Sequence, residues 1–101
     1  MQIAIHITGD RAVLQLKDRF DWSSQNEFRD AVDTVLNDFG TNEIQVDLGG
    51  VNYIDSTALG LLLVLRDEAR ARNKSVSLAN CRGSVKAVLD IAKFDRIFPL
   101  S

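Results

Sequence analysis

The amino-acid sequence predicts an α/β fold, with one domain built on a mixed β-sheet. The first observation behind this prediction is a pair of strand-like segments at the start of the chain, close enough together to form a hairpin. The second is the alternation of helix-like and strand-like segments that follows. The order β-β-α-β-α-β-α, with a possible short final strand, favours four or five strands and three main helices. We expect the later strands to be parallel and joined by right-handed crossovers.

The opening hairpin is predicted from alternation and from one turn signal. Isoleucine occupies every second position over residues 3–7, with more polar residues between, which is the pattern of a half-buried strand. Gly9-Asp10 favours a turn, and residues 13–16 continue as the second strand. A polar loop is then expected over residues 17–24.

The first helix is predicted from its cap and its apolar face. Ser24 and Glu27 have the spacing of a capping box, in which each side chain satisfies a free amide at the helix start. Apolar residues recur at helical spacing from Phe28 to Phe39. Gly40 follows, where a left-handed residue would end the helix.

The second half of the chain repeats the strand–helix pattern. Apolar residues alternate in the third strand, and the fourth is shorter. The predicted elements are a strand at 43–48 closed by a turn at Gly49-Gly50, a helix from 55–57 to about 72, a strand around 76–78, a helix over about 84–93, and residues 97–98 as an edge strand or a packed tail.

Length and composition limit the kinds of protein that the chain can be. With 101 residues, we expect one domain over residues 1–101 rather than two. The net charge is −2 with no basic stripe, which argues against nucleic acid as a partner. The single cysteine, Cys81, and the single histidine, His6, cannot form a disulfide or a Cys/His metal cluster, and we expect neither metal nor cofactor.

The sequence also lacks the patterns that direct a chain into or across a membrane. The longest apolar run, residues 61–65, is far shorter than the roughly 20 residues that span a bilayer. The start of the chain does not have the basic region followed by an apolar region that is typical of a signal peptide. We therefore expect a cytoplasmic protein.

The segment Asp55-Ser56-Thr57 stands where the third strand passes into the second helix. All three residue types can cap a helix, because a short side-chain oxygen accepts a bond from a free amide there. The helix that follows is apolar on all sides in its first half, since Leu63 and Val64 fall on the side away from the main apolar stripe. Either the third helix or the C-terminal tail covers these two residues, or they form an exposed partner surface.

A phosphate on Ser56 would suit a binding switch at this position. It would add about −1.5 to −2 charges and three acceptor oxygens. The helix dipole and the free amides of a helix start tolerate such a charge, so the fold should survive. A partner docked against the same helix end would not tolerate it.

The run from Val51 to Leu62 resembles the signature of STAS-domain anti-sigma factor antagonists. In that family a hydrophobic residue precedes Asp-Ser-(Ser/Thr), and a small residue and Leu-Gly follow, as in residues 54–60 here. Phe20-Asp21 and the stretch 78–89 resemble further parts of the family, so the resemblance covers essentially the whole chain. Ala58 departs from the glycine of many members, which favours a firmer helix start.

The resemblance implies a regulatory protein without enzymatic activity that works by partner switching. Ser56 would be the phosphorylated residue. The unphosphorylated protein would bind an anti-sigma factor, often a serine kinase of the GHKL type, and a PP2C-type phosphatase would reverse the phosphorylation. Nothing in the sequence requires more than a monomer. The candidate partner contacts are Asp21, Trp22, Ser23, Ser24, Asp55, Thr57, Gly60, Leu61, Val64, Asn80 and Arg82.

The sequence is also compatible with other functions. A STAS module can control an output other than a sigma factor, such as biofilm formation, motility or stress signalling, because fold does not fix function. An enzyme with Ser56 as nucleophile would need a base, and His6 is the only histidine. Neither a G-x-S-x-G elbow nor a nucleotide-binding glycine motif is present. Cys81 is either a packing residue or a redox-active thiol, and packing is the favoured interpretation.

Overall fold

The computed structural model describes residues 1–101 and contains one four-stranded sheet with the strand order β1-β2-β3-β4. The predicted order of strands and helices is confirmed. The elements are β1 (Gln2–Thr8), β2 (Arg11–Phe20), α1 (Gln25–Leu36), β3 (Glu43–Ile54), α2 (Ser56–Ala71), β4 (Ser75–Ala79) and α3 (Gly83–Ile91), with short 3₁₀ turns at Trp22–Ser24 and Phe94–Arg96. No helix combines the length and the hydropathy that a membrane-spanning segment needs.

The sheet is mixed, as predicted. β1 and β2 form the antiparallel hairpin, with Ile5 opposite Leu14, and Gly9 at the turn has a φ of +61°. β2 pairs with β3 in parallel, and β3 pairs with β4 in parallel. Since parallel neighbours need a connection across the sheet, α1 and α2 provide these two connections.

The apolar core lies on one face of this sheet. Alternate residues of the two central strands are buried, for example Leu14 and Leu16 in β2 and Val46 in β3, and they pack against the apolar stripes of the helices. The residues between them are mostly polar and are exposed or half-buried, which leaves the opposite face open. His6 lies on that open face and is exposed, as expected for a surface residue.

The C-terminal tail both pairs with an edge strand and packs on the core, the two alternatives that the sequence left open. Leu100 forms a parallel β-bridge with Leu78, so the tail extends along the outer edge of β4. Phe98 is buried, with its ring centroid 5.5 Å from that of Phe94. The bridge falls at Leu100 rather than at residues 97–98, because residue 98 is used for packing.

The predicted end of the first helix is wrong. α1 ends three residues before Phe39, whose side chain is fully exposed, and Gly40 does not have a positive φ. Two sets of contacts accompany this turn: Thr41 donates to Asp38 through its hydroxyl (2.6 Å) and its amide (3.2 Å), and the Nζ of the distant Lys74 donates to the carbonyl oxygens of Asp38 (2.8 Å) and Thr41. These bonds hold the segment after α1 in a turn, so the helix does not continue.

The turn predicted at Gly49-Gly50 is also wrong, because both glycines lie inside β3. The ladder between β2 and β3 shifts register here, and a Cβ on Gly50 would lie 3.0 Å from the carbonyl oxygen of Leu16. Glycine thus permits a close approach of two strands. β3 continues to Ile54 and β2 to Phe20, so the first part of the predicted loop at 17–24 is strand.

Candidate functional site at the start of α2

Ser56 is the first residue of α2 and is exposed. The N-cap is Asp55, whose Oδ1 accepts a hydrogen bond from the amide of Ala58 at 2.9 Å. Of the three residues that the sequence allowed as caps, Asp55 therefore has this role. The Ser56 hydroxyl is left at the protein surface, where another protein can reach it.

Asp55 also fixes the segment that follows β2. Its Oδ2 accepts a hydrogen bond from the amide of Trp22 at 3.1 Å, and its own amide donates to the carbonyl of Phe20 at 3.4 Å. The side chain of Trp22 is 68% exposed. The carboxylate of Asp55 thus fixes the backbone of Trp22, whose indole is exposed, next to the start of α2.

The loop between β2 and α1 is organised around the buried carboxylate of Asp21. This carboxylate accepts hydrogen bonds from the hydroxyl of Ser23 (2.6 Å), from the amide of Ser23 (3.0 Å) and from the Nε of Arg19 (3.1 Å). The amide of Asp21 in turn donates to the Oγ of Ser24 at 3.2 Å. The resulting capping box makes this loop a rigid part of the surface.

The capping box predicted for Ser24 and Glu27 is consequently wrong. The Oγ of Ser24 donates to the carbonyl of Arg19 at 3.1 Å and accepts from Asp21, so it is not available to α1. α1 begins without a side-chain cap. The partner of Ser24 lies three residues before it rather than three residues after it.

The hydrogen bonds to Asp21 make the loop sensitive to acid. The bond from the Ser23 hydroxyl, followed by the bond from the Arg19 guanidinium, holds the pKa of Asp21 below the ordinary value of an aspartate. A lowered pKa means that the folded protein favours the ionised form. The contribution of Asp21 to stability is therefore complete above the unfolded-state pKa of about 3.9 and is lost as the pH falls through the lower folded-state pKa.

We expect the carboxyl carbon of Asp21 to titrate below pH 3.8 in a carbon-detected NMR titration of the folded protein. The free energy of unfolding of the wild type should fall between pH 5 and pH 2, as measured by urea titration. In Asp21→Asn this fall should be smaller, because the contribution of the Asp21 carboxylate is missing. An Asp21 carboxyl that titrates at or above the ordinary value would contradict the hydrogen-bond geometry.

Two residues at the ends of β2 and β3, Arg19 and Tyr53, were not predicted from the sequence. They are partners in the β2–β3 register, and the guanidinium carbon of Arg19 lies 4.1 Å from the centroid of the exposed Tyr53 ring. Arg19 precedes Asp21 by two positions, and Tyr53 precedes Asp55 by two. Side chains two positions apart in a strand lie on the same face. Predicted strands that reached residues 20 and 54 would therefore have placed Arg19 near Asp21 and Tyr53 near Asp55.

The outer side of α2 is exposed, which decides between the two possibilities left by the sequence. Neither α3 nor the tail covers it: α2 packs on α1 and β4, and Leu63 and Val64 are 37% and 42% exposed. Leu61 is half-buried near α1, and Gly60 is exposed. The surface defined by Trp22, Tyr53, Ser56, Gly60, Leu63 and Val64 is called the Ser56 surface below.

Asn80 and Arg82 are separate from the Ser56 surface. Arg82 donates to the carbonyl of Gly49 at 2.7 Å, and the Nδ2 of Asn80 donates to the Oδ1 of Asp47 at 3.0 Å. These acceptors lie in the middle of β3, and Gly49 is five residues before Ile54, or about 16 Å along an extended strand. The structure thus places the loop residues 21–24 at the start of α2, where Ser24 is buried and cannot contact a partner, and it places Asn80 and Arg82 elsewhere.

The residues behind the rival interpretations have structural positions: His6 lies in the β1–β2 ladder, and Cys81 contacts the C-terminal tail. His6 is opposite Val13 in the hairpin. Cys81 is half-buried, and burial raises the pKa of its thiol, which keeps the thiol protonated near neutral pH. Its amide donates to the carbonyl of Ser101 at 3.0 Å, so it is part of the contact with the tail.

Comparison with known proteins identifies the family. A family model described as "Mlab, STAS domain" matches residues 3–100. A STAS-domain containing protein of Pseudomonas aeruginosa (strain UCBPP-PA14) is 40% identical over 93 residues, which are 92% of this chain and 90% of that protein. The crystal structure of an anti-sigma factor antagonist from Mycobacterium paratuberculosis has a TM-score of 0.86 at 17% identity, covering 98% of this chain and 83% of that one.

The Bacillus cell fate determinant SpoIIAA, in its phosphorylated form, has a TM-score of 0.75 at 17% identity, covering 99% of this chain and 91% of that one. At identities this low, the TM-scores establish a common fold and nothing more. The family match extends over nearly all of the sequence. The fold is thus the one adopted by anti-sigma factor antagonists of known structure, and the chain belongs to the STAS domain family.

Proposed function

We propose that the chain is an anti-sigma factor antagonist that acts by phosphorylation-controlled partner switching. The unphosphorylated protein binds an anti-sigma factor with serine kinase activity through the Ser56 surface, and phosphorylation of Ser56 weakens that complex. The observation that carries the proposal is the exposed Ser56 hydroxyl at a helix start, next to an exposed tryptophan that is held in place by Asp55.

The Ser56 surface has the composition of a partner interface. Tryptophan and tyrosine are enriched among residues that dominate binding energies, and Trp22 and Tyr53 are both exposed here. Leu63 and Val64 add exposed apolar area on α2, the helix that begins with Ser56. Because Asp21 and Asp55 already accept backbone amides, the loop and the helix start are ordered before a partner binds, which lowers the entropic cost of binding.

A phosphate on Ser56 would leave the fold intact. The amides of Ser56 and Thr57 are the first two of the helix and have no acceptor within the chain. They point outward at the positive end of the helix dipole, where a phosphate is stabilised. SpoIIAA, which shares the fold, has been solved in both its phosphorylated and its unphosphorylated form.

The same phosphate would oppose the binding of a partner. A docked partner must remove water from Trp22, Leu63 and Val64, and a phosphate among these residues would be desolvated with them. Burying an unpaired charge costs several kcal/mol. The carboxylate of Asp55 lies in the same region and makes it less favourable for additional negative charge, whereas the carboxylate of Asp21 is paired with Arg19.

The direct test is a pull-down from the native cell with the full chain as bait, followed by mass spectrometry of the captured proteins and of the bait. We expect a GHKL-type kinase or anti-sigma factor among the captures, and phosphate on Ser56 in a fraction of the protein. Ser56→Ala serves as the bait that cannot be phosphorylated. Capture of a complex with no sigma factor, anti-sigma factor or kinase would favour the other possibility, a STAS module with a different output.

Gly60 provides a second prediction about the Ser56 surface. Glycine inside a helix is about 0.8–1 kcal/mol less favourable than alanine, and a Cβ at Gly60 would meet no atom within 4 Å. We therefore expect Gly60→Ala to raise the free energy of unfolding by about 1 kcal/mol, as measured by urea denaturation. The chain itself does not need glycine here, whereas a closely packed partner would.

The binding part of this prediction uses a larger side chain. Gly60→Leu should lower the affinity for the captured partner by at least about tenfold, the effect of one overpacked interface position. Ala71→Leu, at the exposed far end of α2, is the matched control and should bind as the wild type does. Equal affinity of Gly60→Leu and the control would place Gly60 outside the interface.

A further inference from the structure

The two edges of the sheet differ in how they are protected. At the β4 edge, the tail supplies three backbone hydrogen bonds, from Leu78 to Pro99, from Ser101 to Leu78 and from Cys81 to Ser101. At the other edge, β1 pairs with β2 alone, and α1 packs on its face without a backbone hydrogen bond to it. One row of amides and carbonyls along β1 is therefore free to pair with another strand.

β1 also lacks the features that normally prevent pairing between sheet edges. Its seven residues, Gln2–Thr8, include no charged residue and no proline. Its register with β2 runs without a shift, so no bulge twists the edge away. Natural sheets usually carry at least one of these features on an exposed edge. Ile3 and Ile5 are only half-buried and Ile7 is 48% exposed, so apolar area remains to be covered.

We propose that β1 is a homodimer interface, in which the β1 strands of two copies pair antiparallel about a two-fold axis at Ile5. The sequence of the strand is suited to pairing with itself. In this register Ile3 faces Ile7 of the second copy, Ile5 faces Ile5, and Ala4 faces His6. It is the one antiparallel register that pairs all seven residues of β1 and keeps isoleucine opposite isoleucine.

A second copy fits this edge better than an unrelated strand does. The contact is isologous, so one surface satisfies both chains, and the two sheets join into one of eight strands. No like charges meet at the contact, because the strand has none at neutral pH when His6 is uncharged. A seven-residue strand is about 23 Å long and buries an area at the small end of the interface range, which predicts a reversible dimer.

The proposed interface is separate from the Ser56 surface. β2 lies between β1 and β3, the strand that leads to Ser56. Dimerisation through β1 would give one assembly with two Ser56 surfaces. A partner that is itself dimeric would then bind with increased avidity.

The test is sedimentation velocity of the full chain from about 5 µM to about 1 mM, a range that covers weak dimers. We expect reversible, concentration-dependent dimerisation. Two double variants place charges on the exposed face of β1, where position 4 faces position 6 of the second copy: Ala4→Lys with His6→Lys, and Ala4→Glu with His6→Glu. Each alone should self-associate at least about tenfold more weakly than the wild type, because like charges then face each other twice.

Mixing the two double variants should restore dimerisation as a heterodimer, since each lysine then faces a glutamate. Ala71→Lys with Ala87→Lys is the control, with the same added charge on exposed helix positions, and it should dimerise as the wild type does. A wild type that stays monomeric throughout, a control that fails to dimerise, or a mixture that does not associate would each overturn the proposal.

A measurement on the wild type alone guards against variants that fold poorly. Amide NMR shifts recorded over the same concentrations should move within Gln2–Thr8 and remain fixed in β4. Shifts confined to another part of the protein would assign the dimer to a different surface and contradict the proposal.

Discussion

Ser56→Asp is expected to lower the affinity for the captured partner by about 30- to 1,000-fold, the equivalent of about 2–4 kcal/mol. The substitution puts a permanent negative charge on the exposed first residue of α2, beside Trp22. Docking of the partner must strip water from that charge without supplying a counter-charge. Ser56→Ala removes only a hydroxyl and should bind within about threefold of the wild type. Isothermal titration calorimetry with the purified partner measures both.

Ser56→Asn separates charge from shape. Asparagine has the size of aspartate and no charge, and it should bind much as the wild type does. If the asparagine variant is as weak as the aspartate variant, crowding rather than charge controls the interface. Equal affinity of all three variants and the wild type would remove Ser56 from the switch. Thermal unfolding should show that each variant stays folded, because this helix start tolerates charge.

Replacing Asp55 by alanine is expected to reduce the free energy of unfolding by about 2 kcal/mol. The helix loses its N-cap, which alone accounts for about 1 kcal/mol, and the Trp22 amide loses a charged acceptor. The loop bearing Trp22 should then move independently of α2. Urea denaturation followed by circular dichroism gives the stability. The fluorescence of Trp22, the only tryptophan in the chain, reports on the loop.

Asp55→Asn distinguishes the two roles of this carboxylate. Its single amide oxygen can still accept from Ala58, and asparagine is as good an N-cap as aspartate. Its NH₂ group would then face the Trp22 amide, donor against donor. We expect a loss of about 1 kcal/mol together with the same change in Trp22 fluorescence as in Asp55→Ala. Normal fluorescence in both variants would show that Asp55 does not hold the loop.

The sequence was most informative where local pattern decides structure. The isoleucine alternation over residues 3–7 and the turn at Gly9 were enough to predict the hairpin, because neighbouring residues determine both. The start of α2 was predicted for the same reason, because the side chain of Asp55 caps the helix that begins at the next residue. The candidate site around Ser56 came from this helix start together with the resemblance to the STAS family.

Predictions failed where a distant residue decides the outcome. Phe39 continues an apolar helical pattern, yet Lys74, more than thirty residues later, binds the carbonyl oxygens on both sides of it and helps to hold a turn there. Gly49-Gly50 is typical of a turn, yet both residues lie within β3. Glycine is needed at position 50 because the carbonyl oxygen of Leu16 in the neighbouring strand would lie 3.0 Å from a Cβ there. Arg19 and Tyr53 were missed because their contact requires the β2–β3 register. No single segment of sequence contains this information.

The C-terminal tail has a consequence for how copies of this protein assemble. With the β4 edge occupied by residues 99–101, each chain has one free edge, and association through β1 closes at two copies. A chain without that tail would have a free edge at each side of the sheet. Dimers formed through β1 would then present a free β4 edge at each end, and pairing of these edges would have no end point, so that strands would accumulate into a growing fibre. Three residues at the margin of the fold thus separate a finite assembly from an open-ended polymer.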